Sequence, residues 1–190
     1  MKRRRRASEP DDPDADPDSP DVAVDRNHVF FWCDCTKKSC LDLVLKLRAL
    51  DRAYAQDEVP LFLHINSNGG CVDAALGAVP GITGLTSRVV SVVEGYAASA
   101  ATLLSVVCDE RRINRTAYLR IHQFRAGFWG KKDELDDEHA NMAKLDAIIT
   151  DIYKRHTSMT RKQIRRLLAR EIDLHPDEAV KRGLADAVVG

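Results

Sequence analysis

Short apolar runs, broken by glycine or polar residues, alternate along this chain with longer stretches whose apolar positions recur every three or four residues. The first kind reads as buried strand and the second as amphipathic helix. His28–Trp32 predicts an opening strand and Leu41–Ala55 the helix that returns from it. Pro60–Ile65 is another short strand, followed by an alanine-rich helix, Val72–Val79, that Pro80 and Gly81 interrupt. Val89–Val93 predicts a further buried strand, which passes through Gly95 into a helix of small residues, Ala97–Val107. Tyr118–His122 is a third buried strand after the opening one. Glu134–His156 reads as a long helix carrying Leu135, Met142, Leu145, Ile148, Ile149 and Ile152, and Thr160 caps a last amphipathic helix through Ala169. Strand and helix alternate almost throughout, so the expected class is α/β, with crossover helices covering a mainly parallel sheet.

The first residues do not share this pattern. Residues 1–21 hold four of the seven prolines and no large hydrophobe beyond Met1, with five positive charges (Lys2 and Arg3 to Arg6) against seven negative ones. Residues 1–25 are therefore expected to form a disordered arm and residues 26–190 a single domain. The run of arginines is a candidate anionic-surface or nuclear-localisation patch that neighbouring acids would screen. It lacks the apolar core of a signal peptide and the acid-poor character of a transit peptide.

Charge and cysteine usage remove several classes of function. Lys plus Arg and Asp plus Glu both number 29 in 190 residues, whereas a nucleic-acid binder needs a clustered basic surplus to neutralise phosphates. Val89–Cys108 contains a single charge, Glu94, but is too polar and too mixed in texture to cross a membrane. The five cysteines, an odd number, suit a reducing compartment, here the cytoplasm, better than a disulfide scaffold. Cys33, Cys35 and Cys40 lie close together, yet no CxxC pair or nearby histidine completes a zinc set, and no metal or cofactor is expected.

Two strand-to-helix junctions concentrate the remaining chemistry. One is Gly69-Gly70, where glycine permits a tight turn and close backbone approach; the other is Gly95 to Ala100, with Ser99 flanked by alanines that cannot obstruct it. A serine at such a turn can attack a carbonyl if a base lies nearby and amides stabilise the oxyanion. His122, 23 residues later at a strand end, is the candidate base.

These residues also carry a family resemblance. INSNGG at Ile65 to Gly70 resembles the INSPGG of the Clp protease proteolytic subunit, EGYAASAATLL at Glu94 to Leu104 its GxAASMGAxLL, and RIHQ at Arg120 to Gln123 its RxMIHQP. Gly70 precedes Ser99 by 29 residues, as in that family, and DEAVKRGLADAVV at Asp177 to Val189 resembles its closing motif. The resemblance covers roughly Phe30 to Val189 and implies a ClpP/crotonase-like fold of repeated β-β-α units. It further implies Ser99 as nucleophile, His122 as general base, and the N–H groups of Gly70 and Ala100 as the oxyanion hole. Residues near Gln123, Gly127 and Phe128 would hold extended polypeptide as an added strand, with GFWG at Gly127 to Gly130 itself a strand. The family's long helix interdigitates stacked rings, so a homo- or hetero-oligomeric ring and an ATP-driven unfoldase partner are expected.

The third catalytic member is open between two residues. Counting back from Glu178-Ala179, the family's orienting Asp falls on Glu171, one methylene longer, while Asp173 lies two residues on and on the same side of an extended segment. Other departures are Asn68 and Phe124 at proline positions, an acidic arm where the family keeps an axial gate, and His64 where a docking tyrosine is commonly seen. Three functions follow: a Clp-type serine endopeptidase, a catalytically impaired ring subunit, and a crotonase-like acyl-CoA enzyme, against which the spacing of Ser99 and His122 argues.

Overall fold

A computed structural model describes residues 21–190; the call of a disordered arm falls mostly on residues 1–20, outside the described residues. The sequence pattern becomes a seven-stranded sheet. Its strands are β1 (Val22–Asp25), β2 (His28–Phe31), β3 (Leu61–Ser67), β4 (Val89–Ala98), β5 (Glu110–Asn114), β6 (Tyr118–Arg120) and β7 (Ala187–Val189). Neighbours run β1-β2-β3-β4-β5-β7, with β6 also pairing β4. Only β1 and β2 are antiparallel; every other pair is parallel. The helices are α1 (Lys37–Tyr54), α2 (Val72–Thr83), α3 (Ala100–Val106), α4 (Lys132–His156), α5 (Arg161–Leu168) and α6 (Pro176–Lys181). The expected α/β class with a mainly parallel, helix-covered sheet is what the chain forms.

Alternation in β3 sets the two faces of the sheet. Leu61, Leu63, Ile65 and Ser67 are buried while Phe62 and His64 look outward. The inward row meets α1, which starts at a capping box of Thr36 and Ser39 and buries Cys40, Leu43 and Leu47. Helix α2 approaches α1 closely because Gly81 has no side chain: a Cβ there would lie 2.6 Å from both Val44 methyls.

Several boundaries differ from the sequence expectation. Val22–Asp25, assigned to the arm on composition, forms β1: Val22 is fully buried, pairs across to Phe31, and its carbonyl accepts from Lys46 Nζ. Pro80 does not break α2, because it sits in the last turn, where its missing N–H removes one bond from a helix already ending at Thr83. Ala97 and Ala98 belong to β4, not to the following helix, since they pair with Leu119 and Arg120 of β6. Ile121 and His122 lie beyond β6, and Gly127 to Gly130 is not a strand, having no neighbouring strand to pair with. The charged strand β5, which lies between β4 and β7, and the short edge strand β7 carry too little apolar periodicity to be read from sequence; β5 is fixed instead by Arg111 on Asp186 and by Arg88 and Arg112 on Glu110. The stretch Val89–Cys108 is strand plus short helix, and among the described residues no helix is long and apolar enough to cross a membrane.

The outward face of the sheet holds stacked rings. His28 stacks on Phe62, and Phe30 on His64, with centroids 4.7 Å and 4.5 Å apart. His64 Nδ1–H donates to Glu94 Oε1 at 2.7 Å, which leaves Nε2 to accept from His28 Nδ1–H at 2.8 Å. Burial, then His64 and Arg26, push the His28 pKa below its ordinary value against the opposing pull of Asp25 and Glu94. Burial, then Arg111 and Arg155, do the same to His156. Both are kept neutral in the fold but free to protonate once unfolded, so their contribution is lost as pH falls below about 6.5 and stops changing below the depressed folded values. Carboxylates such as Asp51 and Asp186, held low by the backbone and by Arg111, act in a lower window. Thermal melts from pH 7.5 to 5 are expected to show a falling Tm, with a shallower slope in His28→Asn; an unchanged slope in that variant counts against this account.

Candidate active site

Two backbone turns interlock at the ends of β3 and β4. After β3 the chain turns through Gly69 (φ +94°) and Gly70 (φ +133°), values that an L side chain rarely tolerates. Ser67 Oγ accepts from the Gly69 N–H at 3.1 Å, while Cys35 clamps the turn from the other side: its N–H donates to Gly69 O at 2.6 Å and its carbonyl accepts from Cys71 N–H at 2.7 Å. Gly70 passes so close to Cys35 that a Cβ would lie 2.6 Å from the Cys35 carbonyl oxygen. A Cβ on Gly69 would lie 2.5 Å from Ala98 O, 2.8 Å from Ser99 Cβ and 3.0 Å from Ala100 N. The glycine turn therefore rests directly on the serine junction.

Ser99 carries strain of its own. It joins β4 to α3 at φ 53° and ψ −125°, one of three non-glycine residues with positive φ among the described residues. Such a conformation persists only where surroundings over-determine it, and here Ser99 N–H donates to Arg120 O at 2.8 Å while Ser99 O accepts from Thr102 Oγ1 at 2.6 Å. Thr102 in turn shares a 2.5 Å hydrogen bond with the buried Tyr153 of α4. The turn leaves Ser99 lining a cavity, and a strained strand-to-helix turn of this kind holds the nucleophile in α/β hydrolases.

His122 follows β6, which pairs with the end of β4 and so brings it to the same place. Its Nδ1–H donates to Glu171 Oε1 at 3.1 Å, with the imidazole 16% exposed and the carboxylate 53%. Desolvation raises the Glu171 pKa, but the Arg125 guanidinium and His122 together outweigh it and hold the carboxyl below the usual range. Asp173, the other carboxylate weighed from sequence, is not on His122: Arg120 Nε and Nη2 bind it at 2.7 and 2.9 Å. Ser99 Oγ makes no hydrogen bond among the described residues, but Ser99, His122, Gly70 and Glu171 all line one cavity of about 1050 Å³. Loose contacts of this kind are common before substrate binds.

The residues expected to hold substrate lie in different places. Phe128 lines the cavity, whereas Gln123 and Gly127 do not, and the Gln123 N–H is already donated to Leu168 O at 2.9 Å. Phe124, Met142 and Leu145 add an apolar wall that the sequence reading missed, the last two from the middle of α4. Arg125, Arg120 and Tyr96 were missed too. The offsets were the available signal, since Arg120 lies two residues before His122 and Asp173 two after Glu171, as an antiparallel pairing requires.

Of the cysteines, the exposed Cys71 lines this cavity. All five are free, Cys35 and Cys40 are buried, and burial pushes the Cys33 and Cys108 thiols up to about 12. Among the described residues no group of three histidine, cysteine or acidic side chains could hold a metal ion.

Similarity to known proteins covers the whole of this framework. The sequence model of a family described as Clp protease matches residues 17–190. The ATP-dependent Clp protease proteolytic subunit 1 of Chlamydia caviae is 33% identical over 170 residues, 87% of this chain and 88% of that one. A subunit so named in Deinococcus radiodurans is 30% identical over 163 residues, 85% of this chain and 79% of its own. That of Nephroselmis olivacea is 33% identical over 138 residues, 71% of this chain and 66% of its own.

Proposed function

Because the chain belongs to the Clp protease family and is a Clp-type serine peptidase, we propose that Ser99, His122 and Glu171 form its catalytic triad and the N–H groups of Gly70 and Ala100 its oxyanion hole. The observation that carries this reading is the contact of the glycine turn with the serine junction, which leaves Ser99 Cβ and the Ala100 amide against Gly69. With Nδ1–H committed to Glu171, His122 presents Nε2 as the base. Ser99 Oγ attacks the scissile carbonyl as Nε2 takes its proton, and the two amides hold the tetrahedral oxyanion. His122 then hands the proton to the leaving amine, and water repeats the sequence on the acyl-enzyme. Phe124, Met142 and Leu145 offer an apolar wall to the side chain beside the cleaved bond. No step requires a cofactor.

Assembly into a ring forms part of the same proposal. Helix α4 is 25 residues long, about 37 Å, yet its buried residues are Ile149, Thr150 and Tyr153, all near its end. The first half has no core beneath it, and Trp129, fully exposed, precedes it. A second copy would cover these surfaces. The curated relatives' names contain the words ATP-dependent and proteolytic subunit; for this chain we take unfolded polypeptide delivered by an ATP-driven unfoldase as substrate, and the cytoplasm as the compartment that five free thiols suit.

A fluorophosphonate probe tests the catalytic claim. The assembled protein is expected to be labelled covalently on the peptide containing Ser99, with acyl-CoA ligands giving no protection. Absence of label on an assembled ring would instead support an impaired subunit, the reading favoured by the half-exposed Glu171.

A further inference from the structure

A second cluster shadows the first, one step away along the same three segments. Tyr96 lies three residues before Ser99 on β4, Arg120 two before His122 on β6, and Asp173 two after Glu171. Arg120 binds Asp173 through two parallel bonds of 2.7 and 2.9 Å, its guanidinium lies 5.9 Å from the Tyr96 ring centroid, and Tyr96 Oη donates to Asp173 Oδ1 at 3.5 Å. Tyr118 packs its ring 4.4 Å from that of Tyr96.

We propose that the Arg120–Asp173 pair, backed by Tyr96, is a positioning device that sets the reach of Glu171 to His122. The proposal rests on the triad reading above. Glu171 lies in no helix or strand. Among the described residues, the backbone ties of its segment to the β6 side are Gln123 N–H to Leu168 O, three residues upstream, and the reciprocal bonds of Leu119 and Leu174 at 3.0 and 2.7 Å, three residues downstream. Leu119 opposite Leu174 is an antiparallel bridge, and the same register places Arg120 opposite Asp173 and His122 opposite Glu171. Side chains two apart on an extended backbone share a face, so the Arg120–Asp173 and His122–Glu171 pairs are adjacent rungs. The inner rung is the weaker one: Glu171 is half exposed, and its Oε1 is shared between His122 at 3.1 Å and Arg125 at 3.3 Å. A single exposed contact of this sort does not by itself fix a long side chain. The outer rung is a planar fork on a carboxylate, which sets direction as well as distance.

The test is a double-mutant cycle on the assembled enzyme, with kcat and KM measured on a chromogenic peptide. Asp173→Asn is expected to lower kcat about tenfold with KM within about twofold, because misplacing a catalytic group slows chemistry without weakening binding. In a Glu171→Ala background the same substitution is expected to change kcat by less than about twofold, since the group it positions is gone. Arg120→Lys, which keeps the charge and loses the fork, is run through the same cycle and replaces Asp173→Asn should that variant fail to assemble. Equal losses in both backgrounds, a loss carried by KM, or no loss would each overturn the positioning role while leaving the triad intact. If Glu171→Ala alone leaves an active enzyme unchanged, the carboxylate assignment and this proposal fall together, and Ser99 and His122 stand. A wild type without hydrolysis sinks both.

Discussion

Replacing Ser99 by alanine is expected to abolish peptide hydrolysis, by about four to six orders of magnitude in kcat, while leaving the fold and its assembly untouched. The size follows from the way triad residues act as a unit: once the nucleophile is gone, only the oxyanion hole and substrate binding remain. The structural neutrality follows from the geometry. Ser99 Oγ makes no hydrogen bond among the described residues, and the three contacts that fix the junction, to Arg120 O and from Thr102 N–H and Oγ1, are made by Ser99 backbone atoms. Alanine meets the positive φ of 53° with no more difficulty than serine, so the change in stability should stay within about 0.5 kcal/mol. Hydrolysis rates on matched preparations, with thermal melts and sizing beside them, provide the check. Activity in Ser99→Ala close to that of wild type would mean that another group attacks the carbonyl.

Gly69→Ala is expected to do nearly as much damage by a different route. The added methyl would meet Ala98 O, Ser99 Cβ and Ala100 N at 2.5, 2.8 and 3.0 Å. Two of these are backbone atoms and cannot swing aside. The φ of +94° adds strain of about 1–3 kcal/mol for a non-glycine residue. Relief can come only by parting the glycine turn from the serine junction, which moves the amides proposed to hold the oxyanion; losing one such donor costs about 10²–10³ in kcat, and displacing the nucleophile compounds it. Gly77→Ala serves as the control. Its Cβ would meet nothing within 4 Å and it lies inside α2, so alanine should stabilise the helix by about 0.5–1 kcal/mol and leave hydrolysis unchanged. Paired melts and rates for the two variants settle the matter, and a Gly69→Ala enzyme with normal kcat would contradict the interlocked geometry.

What the sequence made legible, and what it hid, has a physical pattern. β3 was readable because its alternating buried residues end in a glycine pair, and Ser99 and His122 because small residues and a strand end marked both positions. The alanines before Ser99 misled, since alanine favours helix when no strand competes; the partners that hold Ala97 and Ala98 in β4 are more than twenty residues away. β5 was hidden by its charges, which read as surface but pair with Asp186 and Arg88 across the sheet edge. Glu171 and Asp173 could not be separated from the chain alone, because both lie on the same side of one segment. Only the register of Leu119 against Leu174 gives each carboxylate its own partner.

The bare first half of α4 ties the cavity wall to mass action. Glu138, Asn141 and Met142 line the cavity from a stretch of helix with no core of its own. A helix segment that is covered only by another copy melts when copies separate. The proposed triad is anchored elsewhere, by the junctions after β4 and β6 and the segment before α6, so in the ring proposed above dilution would strip the apolar wall from the site before it disturbed Ser99, His122 or Glu171. Protein concentration would then govern substrate grip before it governed chemistry, and an isolated subunit would hold the three residues together beside a missing wall.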